Sequence, residues 1–295
     1  MQGILRRLAR IVCLVLAAGL ICALLVRYSP GALVDERELN QRLGEDTLAA
    51  LRAEKSDRLN VWQNLRHYLD GLFHGDLGYS TSSNAPIAQL IAERAPETGR
   101  ELGVGLAGGW LLGLGLAIPI GRFRRAWVYD ATSTLTTGLL LSLPTALLAY
   151  LWLMAGMKAG LVLVIVLAPR IFRFARNLLV QAYGATHVEM ARARGVTESR
   201  ILCAHVLPAI APELLALAAA SASMAIGAAI PIEAICDVPG LGRLAWQAAM
   251  ARDLPLLVNL TMLVAVVTTV ATSLSEMMTP RQPHDSGDHL REAVA

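Results

Sequence analysis

Long apolar stretches divided by short charged ones govern what this chain can fold into. Ile11–Val26, Leu102–Ile120, Ala131–Ala155, Ile210–Ile235 and Leu254–Leu274 contain almost no ionisable side chains. A helix needs about 20 apolar residues to cross about 30 Å of hydrocarbon. Only 17% of the chain is charged, against about 25% in soluble domains. A sixth crossing is expected over Ala159–Ala168, extended by Ile171, Phe172 and Phe174, with neighbouring arginines snorkelling to the interface. Without it, the arginine-rich segment that follows would lie outside, against the positive-inside bias. The expected fold is an all-α integral membrane protein with six transmembrane helices and both termini cytoplasmic.

Arg6, Arg7 and Arg10 precede the first apolar run and place the N-terminus inside. A cleaved signal peptide is the rival reading, but Arg27-Tyr28-Ser29-Pro30 fits a cleavage site poorly, so residues 1–27 are read as an uncleaved helix. Residues 28–100 are polar and mixed in charge, an extracytoplasmic segment with helical patterns at Glu36–Leu51 and Leu59–Phe73. Residues 101–278 form a five-helix core, with a cytoplasmic loop at about 176–208, and 279–295 are a polar tail. Gly105, Gly109 and Gly113 recur every four residues and make a smooth ridge for close helix contact. Pro144 is expected to kink the third span.

Several chemistries are excluded. A phosphate-binding loop needs Gly-Lys-Ser/Thr, and neither lysine, Lys55 or Lys158, follows a glycine. No nucleophile elbow, zinc-protease pattern or metal-ligand spacing is present, so no catalytic residue and no metal site is expected. The four cysteines are read as unpaired, and His187 and His205 as too distant in sequence for a local pair. A net charge of +3 is too small to suggest nucleic acid. Glu213 and Glu233 sit near opposite ends of the fifth span and Glu276 at the inner end of the sixth. With so few ionisable groups mid-membrane, ion coupling is disfavoured and energy must come from a partner.

The stretch HVEMARARGVTESRILCAHVLP, His187–Pro208, is the charged interruption between two oily runs. Glu189 and Arg192 stand at i,i+3, the spacing of an intrahelical pair. Gly195 suits a left-handed helix terminus, and Thr197 the N-cap of the next segment. Taken alone, the stretch reads equally as a solvated connector.

EMARARG followed nine residues later by HVLP resembles the EAA loop of ABC-importer permeases, E-A-A-x3-G-x9-I-x-L-P. Glu189, Ala191, Gly195, Leu207 and Pro208 match, while Met190 and His205 depart. His205 agrees with the dipeptide, oligopeptide and nickel branch. GDLGYS (Gly75–Ser80), ERAPET (Glu93–Thr98), IEAICDVPGLGRLAWQAAMARDLPLL (Ile232–Leu257) and TPR (Thr279–Arg281) are also similar to that branch. Cys236-Asp237-Val238 replaces its usual aromatic stretch. The single helix before a long outer segment resembles the first of the two permease subunits.

The resemblance implies an ABC importer type I permease fold in the bacterial cytoplasmic (inner) membrane, a multi-pass chain surrounded by lipid. It implies a second homologous permease, two cytoplasmic ABC ATPase subunits holding ATP and Mg, and an extracytoplasmic substrate-binding protein. It implies no cofactor on this chain and a non-catalytic role for it. Glu189, Met190, Ala191, Ala193, Arg194 and Gly195 would dock on an ATPase. Glu233, Pro239, Gly240, Gly242, Arg252 and Asp253 would belong to an outer gate on the binding-protein side. Ala218, Ser221 and Met224 are candidates for the translocation path. The rival classes are a secondary transporter independent of an ATPase and a membrane-bound enzyme or assembly factor working through residues 28–100.

Overall fold

The structure is a computed structural model that describes residues 13–14, 16–22, 24–25, 76–122, 135, 137–156 and 158–278, the side chains at 122 and 275–278 excepted. The proposed helices at Glu36–Leu51 and Leu59–Phe73, and the tail at 279–295, lie outside the described residues. Within the described residues the chain is helical, with one isolated bridge between Tyr79 and Pro86. After a helical stretch at residues 16–22, the order is α1 (Ile87–Arg122), α2 (Thr145–Met154), α3 (Gly160–Tyr183), α4 (Thr186–Ala193), α5 (Glu198–Ile201), a π-turn (Leu202–Val206), α6 (Leu207–Ile235), α7 (Leu241–Met250) and α8 (Leu254–Met278).

Among the described residues, three helices are long and apolar enough to cross a membrane: Ile87–Gly121, Glu198–Ile235 and Leu254–Leu274. These coincide with the expected second, fifth and sixth spans. The second begins earlier than expected, because α1 runs unbroken from Ile87 across the boundary set at residue 101. The stretch expected as a fourth crossing is helical as α3, about 36 Å long by its rise per residue and continuous through Pro169, but it is not one of those three apolar helices. Its apolar side chains Leu163, Leu167, Ile171 and Leu179 are buried against other helices. The stretch expected as the third span is interrupted: helical residues 137–142 end before Pro144, which caps α2 with extended backbone. Pro144 therefore makes a break where a kink was expected, since proline disfavours helical backbone in the residue before it.

The glycine ridge of α1 explains how the bundle closes. A Cβ on Gly105 would strike Leu163, and one on Gly109, Gly113 or Gly121 would lie 3.0 Å from Leu167, 2.7 Å from Ile171 and 2.9 Å from Leu179. Gly108 meets Val164 in the same way. The ridge thus seats α3 against α1 along most of its length, the role expected of it. The N-terminal helical stretch packs on α8 through Gly19 and Met262, with Thr261 donating to the Cys22 thiol. All four cysteines are free.

Candidate functional site

The two candidate sites lie at opposite ends of α6. From Leu207 to Glu233 the helix rises about 40 Å at 1.5 Å per residue.

At the Leu207 end, α3 stops at Tyr183 and the chain turns through Gly184–Ala185 into α4. The α4 sequence alternates at helical spacing. Val188 and Ala191 are buried and join Phe172, Ala175, Leu179, Tyr183, Ile201, Val206 and Ile210 in one core. Glu189, Ala193, Arg194 and Gly195 are exposed, and Met190 is 57% exposed. Five of the six residues expected to dock are therefore on the free face, while Ala191 faces inward, small enough to let α4 lie flat on its own protein.

Gly195 ends α4 at φ 77°. Its N–H donates to the Arg192 carbonyl and the Val196 N–H donates to the Ala191 carbonyl, the paired bonds of a Schellman terminus. Thr197 is the N-cap of α5, as its position suggested, yet its side chain makes no capping bond. Arg192 ties α4 to α5 through Glu198, with Nε to Oε1 at 2.8 Å. That hydrogen bond pushes the already basic guanidinium further up. His187 and His205, read as too distant to pair, stand with ring centroids 6.4 Å apart. The turn at Gly195 and the π-turn fold the intervening chain back and close the gap in sequence.

At the other end, two carboxylates organise the chain. Glu233 is 0% exposed. Its Oε2 accepts the Gly242 N–H at 2.7 Å and the Arg243 N–H at 3.3 Å, so a negative group sits at the N-terminus of α7. The Thr98 hydroxyl also bonds Glu233 and accepts the Leu241 N–H at 2.8 Å. The glycines follow from this closeness: a Cβ at Gly240 would overlap the Glu233 carboxylate, and one at Gly242 would lie 2.6 Å from the Ile230 Cα. Pro239 is exposed at the turn, where the Gly240 N–H reaches the Val238 carbonyl. Asp237, in the departing Cys-Asp-Val stretch, takes φ 57° to end α6 and pairs with Arg243 at 2.6 Å. Burial, with the nearby Glu101 adding to it, pushes the Cys236 thiol up.

Asp253 is 1% exposed. Its Oδ1 accepts the Leu256 N–H, capping α8. Its Oδ2 accepts the Ser80 hydroxyl and both the backbone and hydroxyl of Ser82. Burial alone would raise this carboxyl, but these bonds hold it below the ordinary carboxylate range. Arg252 sits at φ 53° and lets Asp253 N–H return to the Ala248 carbonyl. Asn259 donates to the Leu77 carbonyl and completes the attachment of residues 76–86.

Ser221 is 2% exposed, accepts the Trp110 indole N–H and donates to the Ala218 carbonyl. Met224 packs with Leu167 and Ile171. Ser221 and Met224 thus stand in the contact of α6 with α1 and α3, while Ala218 joins them through its carbonyl, which accepts the Ser221 hydroxyl. Sequence reasoning did not single out Thr98, Glu101, Ser80, Ser82 or Asn259. The only signal for the first four was membership of ERAPET and GDLGYS or proximity to them, and Asn259 lies just past the Ile232–Leu257 stretch. Among the described residues no cluster of three or more metal-ligating side chains occurs.

The described residues form a helical bundle with an exposed short helix at one end and a tightly hydrogen-bonded turn at the other. The sequence profile of the binding-protein-dependent transport system inner membrane component matches residues 109–282. The chain belongs to that family and is a permease of the inner membrane. A Brucella abortus protein named as a peptide transport system permease is 29% identical over 290 residues, 85% of this chain and 88% of its own. The nickel import system permease protein NikB of Staphylococcus aureus is 25% identical, covering 99% of this chain and 95% of its own. The inward-facing MetNI methionine ABC transporter has a chain that superposes with TM-score 0.55 at 22% identity, over 65% of this chain and 98% of that one. That likeness speaks for the fold alone.

Proposed function

We propose that this chain forms half of the translocation pathway of an ATP-driven importer. It pairs with a second homologous permease and is driven by two cytoplasmic ABC ATPases. The cargo is a peptide, nickel or a related small solute delivered by an extracytoplasmic binding protein, a reading supported by the relatives named for peptide transport and nickel import. ATP and Mg belong to the ATPases.

The observation that carries the proposal is the geometry of α4. An eight-residue helix is anchored by Val188 and Ala191 and closed by Gly195, and it presents Glu189, Met190, Ala193 and Arg194 outward. Such a helix transmits force because its underside is welded to α3 and α6 through one core. The free face is the docking surface for an ATPase. A closing ATPase dimer moves α4 and, through it, the bundle, so the two states of the partner bias the two states of the pathway.

In this reading the chain crosses the membrane six times with both termini cytoplasmic, and α4 lies inside. Glu233, Pro239, Gly240, Gly242, Arg252 and Asp253 then form an outer block on the binding-protein side. Ala218, Ser221 and Met224 act by positioning the path-forming helix α6. Glu189→Lys and Gly195→Trp test this in the purified complex. Membrane insertion should be normal and substrate-stimulated ATP hydrolysis lost; unchanged stimulation in both variants would remove the docking assignment.

A further inference from the structure

Two polar features share one depth in the bundle. α3 follows α1 along the glycine ridge, with Leu163 at Gly105, Ile171 at Gly113 and Leu179 at Gly121. The two helices run side by side, so levels on α3 can be read from α1, which is long and apolar enough to cross a membrane. Arg170 and Arg173 flank Ile171 and stand level with Gly113, inside the apolar run Leu102–Ile120. Leu111, Leu112 and Leu116 of α1 are exposed at this level. Arg170 lies about 13.5 Å short of Leu179 by helix rise, too far for its side chain to snorkel past the level of Gly121. On α3, Leu163, Leu167, Ile171 and Ala175 recur every four residues and are buried. Arg170, Arg173 and Asn177, at i, i+3 and i+7, share the other side. Arg170 is half-buried, and Arg173 and Asn177 are exposed. None of the ion pairs found among the described residues uses either arginine. Charged side chains at such depth face a water-filled cavity or the interior of a bundle.

The break at Pro144 lies at the same level. α2 and α3 are joined by a short turn. Pro144 precedes the end of α2 at Met154 by as many residues as Arg170 follows the start of α3 at Gly160, about 15 Å from the turn in each case. Ser142, Leu143 and Pro144 are exposed, and Pro144 brings no side-chain cap to the first-turn N–H groups of α2. Non-helical backbone at membrane depth is tolerated only inside protein or beside water. Ser221 and Met224, by contrast, are enclosed in helix contacts and leave the wall of an open path to other segments.

We propose that the break before α2 and the arginine side of α3 line one water-filled passage, in which Arg170 and Arg173 receive a carboxylate of the transported solute. A guanidinium takes a carboxylate through two parallel hydrogen bonds. The N-terminus of α2 adds positive potential at that level. A peptide's C-terminus and an acid that chelates nickel share this chemistry. That the solute is an importer's cargo rests on the function proposed above; water access and a preference for anions do not.

The test uses Ser142→Cys as a reporter in the assembled permease–ATPase complex in nanodiscs, with the four free cysteines replaced by alanine. Its thiol should react with water-soluble methanethiosulfonates. Scaled to their rates with a free thiol, the anionic sulfonatoethyl reagent should outpace the cationic trimethylammonioethyl one by about tenfold, the scale of focusing in a charged cleft. Arg170→Gln and Arg173→Gln should each reduce that preference, and together erase it. Slowing by millimolar trialanine identifies a peptide carboxylate, and slowing by nickel citrate identifies a chelating acid; slowing by neither overturns the carboxylate assignment. A Ser142→Cys thiol reached only by a lipid-soluble maleimide, or by no reagent because the second permease covers it, overturns the passage. An anion preference that survives both arginine variants overturns their role. Where those variants assemble poorly, the reagent preference of the arginine-bearing complex still decides. Unchanged substrate-stimulated ATP hydrolysis in Glu189→Lys would remove the docking reading and leave the passage intact.

Discussion

The two ends of α6 solve opposite problems with the same backbone device. Gly195, Asp237 and Arg252 all take positive φ just past a helix end, and each is followed by a residue whose N–H bonds back across the terminus. At the α4 end the device throws charged side chains outward over an apolar underside. At the Glu233 end it turns carboxylates inward, where they hold backbone N–H groups from segments far apart in sequence. One end is exposed and the other closed. Substitutions at the first should disturb coupling and spare the fold; substitutions at the second should disturb the fold.

Glu233→Ala is the sharpest way to break that contrast. It strands the buried N–H groups of Gly242 and Arg243, at about 1–3 kcal/mol for each unsatisfied group. We expect a large fall in thermal midpoint and loss of assembled complex, measured by fluorescence-detected size exclusion. Asp253→Ala should follow, removing a helix cap worth about 1 kcal/mol together with the Ser80 and Ser82 anchors. Hydrogen exchange over residues 76–86 should rise.

The same carboxylate makes a pH prediction. Its folded form is held below the ordinary carboxylate range. Its stabilisation is therefore complete above that range and lost as pH falls through the depressed value. Protection of residues 76–86 should drop on acidification in the wild type and stay low and flat in Asp253→Ala. Gly113→Leu should cost about 1–3 kcal/mol by overpacking against Ile171, seen as a lower thermal midpoint. The smallest effect belongs to Arg192→Ala: its partly exposed pair with Glu198 is worth at most about 1 kcal/mol, and stability should barely move.

Much of this arrangement was legible in the sequence. Uninterrupted apolar runs gave α1, α6 and α8, because burial in lipid demands apolar residues on every face. The glycine spacing on α1 gave a contact ridge, since only missing side chains admit Leu163 and Ile171 so closely. Gly195 gave the end of α4. Pairings between distant segments were not legible. Thr98 meets Glu233, Ser80 meets Asp253 and His187 nears His205 only once the helices are assembled, and no local spacing encodes those contacts. Ala191 shows the same limit on one helix: its motif position marked it for a partner, while the periodicity shared with Val188 turns it into the protein's own core.

The central claim is that the exposed face of α4 is seated in an ATPase. Thiol cross-linking from Met190→Cys tests it most directly, after the exposed Cys203 is replaced by serine. In the assembled complex the cysteine should cross-link to an ATPase subunit, with a yield that changes on ATP binding, and should resist a water-soluble maleimide. A cysteine at 190 that is freely labelled in the intact complex and forms no ATPase cross-link in either nucleotide state would contradict the account.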